Sequence, residues 1–408
     1  MRLDDHGQPR PALAISWEHD AQSRRWQFRL RPGVKFHDGT PLAPASVVAA
    51  WQGDASPLGK GRLVSVFGEW LVIESARAMP DQPVELALGR NFVFRVTAEG
   101  GVAGTGAFRV AEWQPRRRLV VAANEDSWAG RPFLDSIAIE MGVAPPQQIV
   151  DMELGKADLV EVAPDQARRA AQGGGRTWSS APVELLALVL DTRRPAVQDA
   201  RLRQAVALSI YRAAIWNVLL QKQGDIAGGL LPQWLSGYAF LFATAPDVER
   251  AKRLRAELSA SSPVTMAYDS SDPVARAVSE RIVVNAREVG ITMQIASPAP
   301  ASTTGYDVRL VRLRITPAGA RAALHSLLTA LGEASTLPAA APPTPEQLYA
   351  AELALMQTYR VVPLAHLPEA YALSPQVKNW MPRRWGAWRL DDAWLDTSAQ
   401  SAAAGNKP

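Results

Sequence analysis

The chain has 408 residues, enough for two or three domains with large cores. Hydrophobic residues make up 47% and charged residues 21%, the balance of a folded globular protein rather than a disordered one. The 44 basic and 40 acidic residues leave a net charge of only +4 with the arginines scattered, so nucleic acid is not an expected partner, and the lack of cysteine excludes disulfides, thiolate catalysis and cysteine-type zinc sites.

Residues 12–36 alternate apolar and polar and predict two strands. Trp26, Phe28 and Leu30 fall on one face, with Gln27, Arg29 and Arg31 on the other. Turns follow at Arg31-Pro32-Gly33 and His37-Asp38-Gly39-Thr40, then a helix over Pro41–Trp51 with Pro44 in its first turn. Strands are expected at Trp70–Glu74, Val84–Leu88 and Phe92–Val96. The glycine-rich stretch Gly100–Gly106 opens a hairpin of Ala107–Trp113 and Leu119–Ala123, and Ile137–Met141 is a further strand. A helix over Pro146–Leu154 ends near Gly155, with a short strand at Ala157–Val160. The apolar run Glu184–Leu190 reads as a strand buried on both faces.

Asp199 caps a helix expected to reach about Lys222, with Leu202, Val206 and Ile210 inward. Asp247 caps the next helix, and a third spans Pro273 to about Val289 and stops at Gly290, ahead of strand Ile291–Ile295. Residues 332–345 are linker-like. A helix over Thr344–Tyr359 then leads to strands Val361–His366 and Ala370–Leu373, and the tail after Asp396 is expected to be disordered. The alternation of strands and helices over 137–295 indicates an α/β architecture.

No catalytic centre stands out. His37-Asp38 sits in a turn where the aspartate is expected to bond its own backbone. The five histidines form no HExxH, and no GxSxG is present. Gly100–Gly106 lacks the lysine of a phosphate loop and leads into a strand, so it reads as a structural turn. Asp199, Arg201 and Arg203 read as a cap and tether for a helix end. No run of 18 apolar residues exists, so no transmembrane helix is expected, and the polar start Met1–Gly7 carries no signal-peptide pattern.

A set of ordered motifs resembles the family 5 extracellular solute-binding proteins, the peptide-binding subunits of ABC importers. It comprises Pro11-Ala12-Leu13-Ala14 with Trp17; Trp26–Thr40; Gly104-Thr105-Gly106-Ala107-Phe108; Asn124, Trp128, Gly130, Pro132 and Leu134-Asp135; Gly155–Asp158; Asp199, Arg201, Arg203-Gln204-Ala205 and Ile210; Gly229, Leu231-Pro232 and Gly237-Tyr238; and Val289-Gly290-Ile291. The resemblance implies a periplasmic binding protein-like α/β fold of type II, two α/β lobes joined by a hinge, with an extra subdomain in lobe one. It places lobe one at 1–187 with the peripheral subdomain at about 12–100, lobe two at 188–370, a return segment at 371–396 and a disordered tail at 397–408. The chain would begin inside the family's lead-in. Arg309–Leu331 contains no acidic residue, so the family's carboxylate anchor for a peptide amino terminus has no counterpart there.

The implied function is a non-enzymatic, cofactor-free and metal-free monomer of the periplasm or cell exterior that delivers a peptide or similar small solute to ABC permease subunits. The alternative is the ligand-sensing domain of a transcriptional regulator with the same fold. Candidate ligand contacts are Trp234 and Tyr238, in the loop resembling the family's cleft-lining segment, and Arg193 and Arg194, whose guanidinium forks suit a carboxylate. Trp385 and Trp388 are further candidates, although the crowded C-terminal tryptophans are first expected to pack the return segment onto lobe one.

Overall fold

Two strands, Arg176–Leu190 and Val361–Leu373, pair antiparallel along most of their length and form the spine of the protein. The computed structural model describes residues 1–5, 7–51, 58, 61–172, 176–258, 262–296, 305–316, 319–333, 343–380, 382–385 and 388–396. The spine anchors a seven-stranded sheet in the order Leu159–Glu161, Val361–Leu373, Arg176–Leu190, Val308–Arg314, Val264–Ala267 and Met293–Ile295, with Asp225–Ile226 paired to Val361–Leu373. Both spine strands are longer than the sequence suggests. Val361–Leu373 is continuous where two strands are expected, because Pro368 and Glu369 interrupt its apolar pattern without ending it.

The ladder between the spine strands breaks at one place. Pro182 stands opposite Pro368, and the register shifts on either side. Neither proline has an N–H to give, so the strands cannot bond each other there. The neighbouring backbone groups find other partners. Ala181 N–H donates to the Arg384 carbonyl at 2.7 Å, Glu369 N–H to Ser180 Oγ at 2.9 Å, and Ile315 N–H to the Val183 carbonyl at 2.7 Å.

On one side of this break the sheet is buried on both faces, as the run Glu184–Leu190 predicts. Leu186, Leu188 and Leu190 join one core under the helices Ala200–Ser209, Val248–Ala256 and Pro273–Glu288. Leu185, Ala187 and Val189 join the core on the opposite face, under Ala320–Leu331 and Pro345–Met356. Each such buried leucine or valine contributes roughly 1.5–3 kcal/mol relative to exposure. On the other side of the break, Ala372 packs with Val160 and Ile149, and Tyr371 and Leu373 pack with Trp178 and Trp380. One pair of strands thus threads two α/β lobes.

Asp199, Asp247 and Asp272 cap their helices through backbone N–H bonds, and Thr344 forms a capping box with Gln347. The helix begun at Asp199 is shorter than expected. It ends at Ser209, Ile210 takes an extended conformation, and a short turn followed by a π-helical stretch completes the segment to Leu219. Val84–Leu88 is not a strand; Gln82–Glu85 forms a helical turn, with a proline in its first positions.

A four-stranded antiparallel sheet, Ala14–His19, Arg25–Leu30, Trp70–Ser75 and Arg62–Phe67 in spatial order, holds a separate core around Trp26, Phe28, Trp51 and Ile73. His37 ties this unit to the glycine-rich loop: its Nδ1 accepts from Gly104 N–H at 3.2 Å and its Nε2 faces the Gly106 carbonyl at 3.1 Å. The tautomer with the proton on Nε2 satisfies both bonds. Asp38 accepts from the Thr40 backbone and hydroxyl at 3.0 and 2.6 Å, the turn expected of it. The tail 397–408 lies outside the described residues, as does most of 332–345.

Candidate functional site

The break in the spine opens onto a cleft of about 280 Å³. Its lining comes from both sides of the crossing. Glu161 and Tyr371 come from the strands beyond the break, Glu369 from the break itself, Glu184 and Arg312 from the doubly buried sheet, and Asp272 from a helix start. Each position follows from local structure. Arg314 lies directly opposite Glu184 in the ladder, and Arg312, two residues away, shares its face. Asp272 is held by its cap: one side-chain oxygen accepts from Val274 and Ala275 N–H at 2.9 and 3.1 Å, leaving the other free to turn to the cleft.

Arg312 is clamped. Its guanidinium donates to Glu184 Oε2 at 2.6 Å and to Asp272 Oδ2 at 3.4 Å. Burial works against its charge, but the two carboxylates outweigh burial and raise its pKa above the ordinary arginine value. Arg314 ion-pairs with Glu369 and also reaches the Trp385 carbonyl. The Tyr371 hydroxyl donates to Glu369 Oε2 at 3.3 Å, and burial raises its pKa. Among the described residues no cluster of three or more metal-ligating side chains occurs. The arrangement is suited to holding a polar solute by charge and hydrogen bonds.

The six residues anticipated from sequence fall in four places. Arg193 and Arg194 lie past Leu190, six residues beyond Glu184 and so roughly 20 Å along the strand. Arg193 is held by Asp191 at 2.8 Å, and Arg194 by the buried Asp307 at 3.3 Å. They do not line this cleft; their forks are engaged by Asp191 and Asp307. Trp234 and Trp385 pack on the opposite side of the crossing. Trp234 Nε1 donates to the Pro182 carbonyl at 2.9 Å, its ring faces Arg384, and Trp385 is buried beside Val183 and Leu3.

Tyr238 belongs to a buried polar network. Its hydroxyl donates to Glu352 Oε2 at 2.7 Å, while Glu352 Oε1 accepts from the Leu230 and Leu231 backbone N–H groups. Burial pushes Glu352 up to about 7, against these three donors, which favour the anion. Gly229 lies so close to this carboxylate that a side chain there would collide with it. Trp388 comes nearest the cleft, its ring edge-on to Tyr371 at 5.3 Å.

Sequence reasoning missed the residues that line the cleft. A signal for some of them is present. Glu184 and Glu369 are charges set beside strongly apolar runs, and such charges need partners or a ligand.

The comparisons with known proteins agree with this architecture. A haem-binding protein A of Haemophilus influenzae is 24% identical over 293 residues, covering 60% of this chain and 53% of that protein. A probable D,D-dipeptide-binding periplasmic protein of Escherichia coli is 21% identical over 316 residues, covering 71% of this chain and 61% of that one. The chain thus spans somewhat more than half the length of these relatives. The solved structure of NikA from Staphylococcus aureus in complex with Ni(L-His)2 superposes with a TM-score of 0.83 at 16% identity, covering 97% of this chain and 93% of that one. The family model of the bacterial extracellular solute-binding proteins, family 5 middle region, matches residues 8–317, and with the two-lobed fold and the cleft at its crossing this chain belongs to that family.

Proposed function

We propose that this chain is the extracytoplasmic solute-binding component of an ABC importer, closing its two lobes on a peptide of two or three residues, or a solute of similar size, and presenting it to permease subunits. The observation that carries this reading is a cleft lined from both sides of a two-strand crossing, where the ladder is weakened by opposed prolines. Lobes joined this way can close around a solute with little change inside either one. The cleft volume lies at the small end for ligand pockets, which suits a short peptide better than a long one. Relatives named for dipeptide, haem and nickel binding support a solute-binding role and leave its ligand class to this cleft. On this reading lobe one and lobe two meet at 180–184 and 367–370, and residues 371–396 return to lobe one.

A thermal-shift screen against pooled di- and tripeptides tests the proposal. A ligand that binds the folded state raises the melting temperature with concentration. At least one pool is expected to do so. A flat response to every pool would sink the peptide assignment.

A further inference from the structure

We propose that the solute in the cleft is an organic cation, carrying an ammonium or guanidinium group on an alkyl segment; this rests on the reading of the cleft as the solute site. Glu161 lies directly opposite Tyr371 in the antiparallel ladder, and Glu369 is two residues from Tyr371 on the same strand. All three side chains therefore project from one face, with direct cross-strand partners about 5 Å apart at Cβ. Two carboxylates flank a phenol hydroxyl that already leans on one of them.

The charges in the cleft do not balance. Glu161, Glu184, Asp272 and Glu369 face it, against the guanidiniums of Arg312 and Arg314. Both guanidiniums are engaged: Arg312 with Glu184 and Asp272, Arg314 with Glu369. Two negative charges remain. Glu161 is exposed and has no ion-pair partner among the described residues. An anionic solute would meet it with no unpaired cation among the residues that line the cleft, whereas an ammonium would donate charge-assisted hydrogen bonds to Glu161 and Glu369 in a partly enclosed space where they count for more than in water. Pro145, Val162 and Val274 supply apolar wall for the alkyl part.

Isothermal titration calorimetry with trilysine, trialanine, triglutamate and spermidine, on the wild type and on Glu161→Gln, tests this. Trilysine or spermidine is expected to bind at least about ten-fold more tightly than trialanine, with triglutamate weakest and the cation affinity falling as salt rises. Which of the two cations binds distinguishes a basic peptide from a polyamine. Glu161→Gln should weaken binding of trilysine or spermidine about five- to ten-fold, more than it weakens trialanine, whose only cation is its terminal ammonium, and should leave the melting temperature unchanged. Trialanine binding as tightly as the cations, or cation affinity indifferent to Glu161→Gln, would overturn the inference while leaving the solute-binding reading standing. If none of the four binds and no peptide pool shifts the melting temperature, both fall.

Discussion

Two buried residues, Glu352 and His366, carry opposite pH dependences and meet on one loop. Glu352 bonds the Leu230 and Leu231 N–H groups, and His366 Nε2 lies 3.0 Å from the Leu230 carbonyl. Burial pushes Glu352 from 4.5 up to about 7, and pushes His366 from 6.5 down to about 4. A carboxyl whose folded value is raised contributes its stability in full below pH 4.5 and loses it as pH climbs through 7. An imidazole whose folded value is depressed contributes above pH 6.5 and loses its contribution as pH falls through 4. Each swing is of order 3 kcal/mol. Between pH 4.5 and 6.5 the two slopes oppose, so the pair adds little net pH dependence. Single variants should unmask them. Relative to wild type, Glu352→Gln should gain stability steadily as pH rises from 4.5 to 7, and His366→Gln should lose stability over 4 to 6.5. Urea denaturation across that range reads the differences. A Glu352→Gln curve parallel to wild type would show that burial does not raise this carboxyl.

At the scale of elements, the opposed prolines decide how the spine behaves. Pro182 and Pro368 remove two ladder donors at the break in the spine, the proposed meeting point of the lobes. Replacing both with valine restores the donors and favours an unbroken, stiffer ladder. The double variant Pro182→Val/Pro368→Val is expected to remain folded and to show a smaller ligand-induced decrease in radius of gyration by small-angle X-ray scattering. Compaction equal to wild type would place the hinge elsewhere. This crossing was only partly legible in the sequence. The run Glu184–Leu190 announces a buried strand, and Asp199 and Asp247 announce helix starts, because those signals are local. The pairing of Pro182 with Pro368, or of Glu161 with Tyr371, joins residues far apart in the chain, and period and propensity carry no information about such partners. The same limit explains Arg193 and Arg194. Nothing near them signals that Asp307, over a hundred residues later, occupies one of the two forks.

For the whole molecule, the stretch that most resembles the family lies away from the cleft. Trp26, Phe28, Val34, Phe36, Val47 and Trp51 build the core of the four-stranded unit, and no residue of that core lines the cleft. The residues that carry the family resemblance are therefore separate from those that line the proposed solute cleft, and a variant can test whether the two act independently. Phe28 is 1% exposed, and Phe28→Ala leaves a cavity where its ring packs beside Trp26. Such truncations cost about 3–5 kcal/mol. Because the damage is confined to the peripheral core, the variant should melt at a lower temperature yet bind solute with unchanged Kd at a temperature where it is still folded, since sites without shared partners act independently. Calorimetric titration alongside a melting curve makes the comparison. A Kd weakened more than about ten-fold in a chain that is still folded would mean that the four-stranded unit is coupled to the cleft, through lobe closure rather than through any side chain lining it.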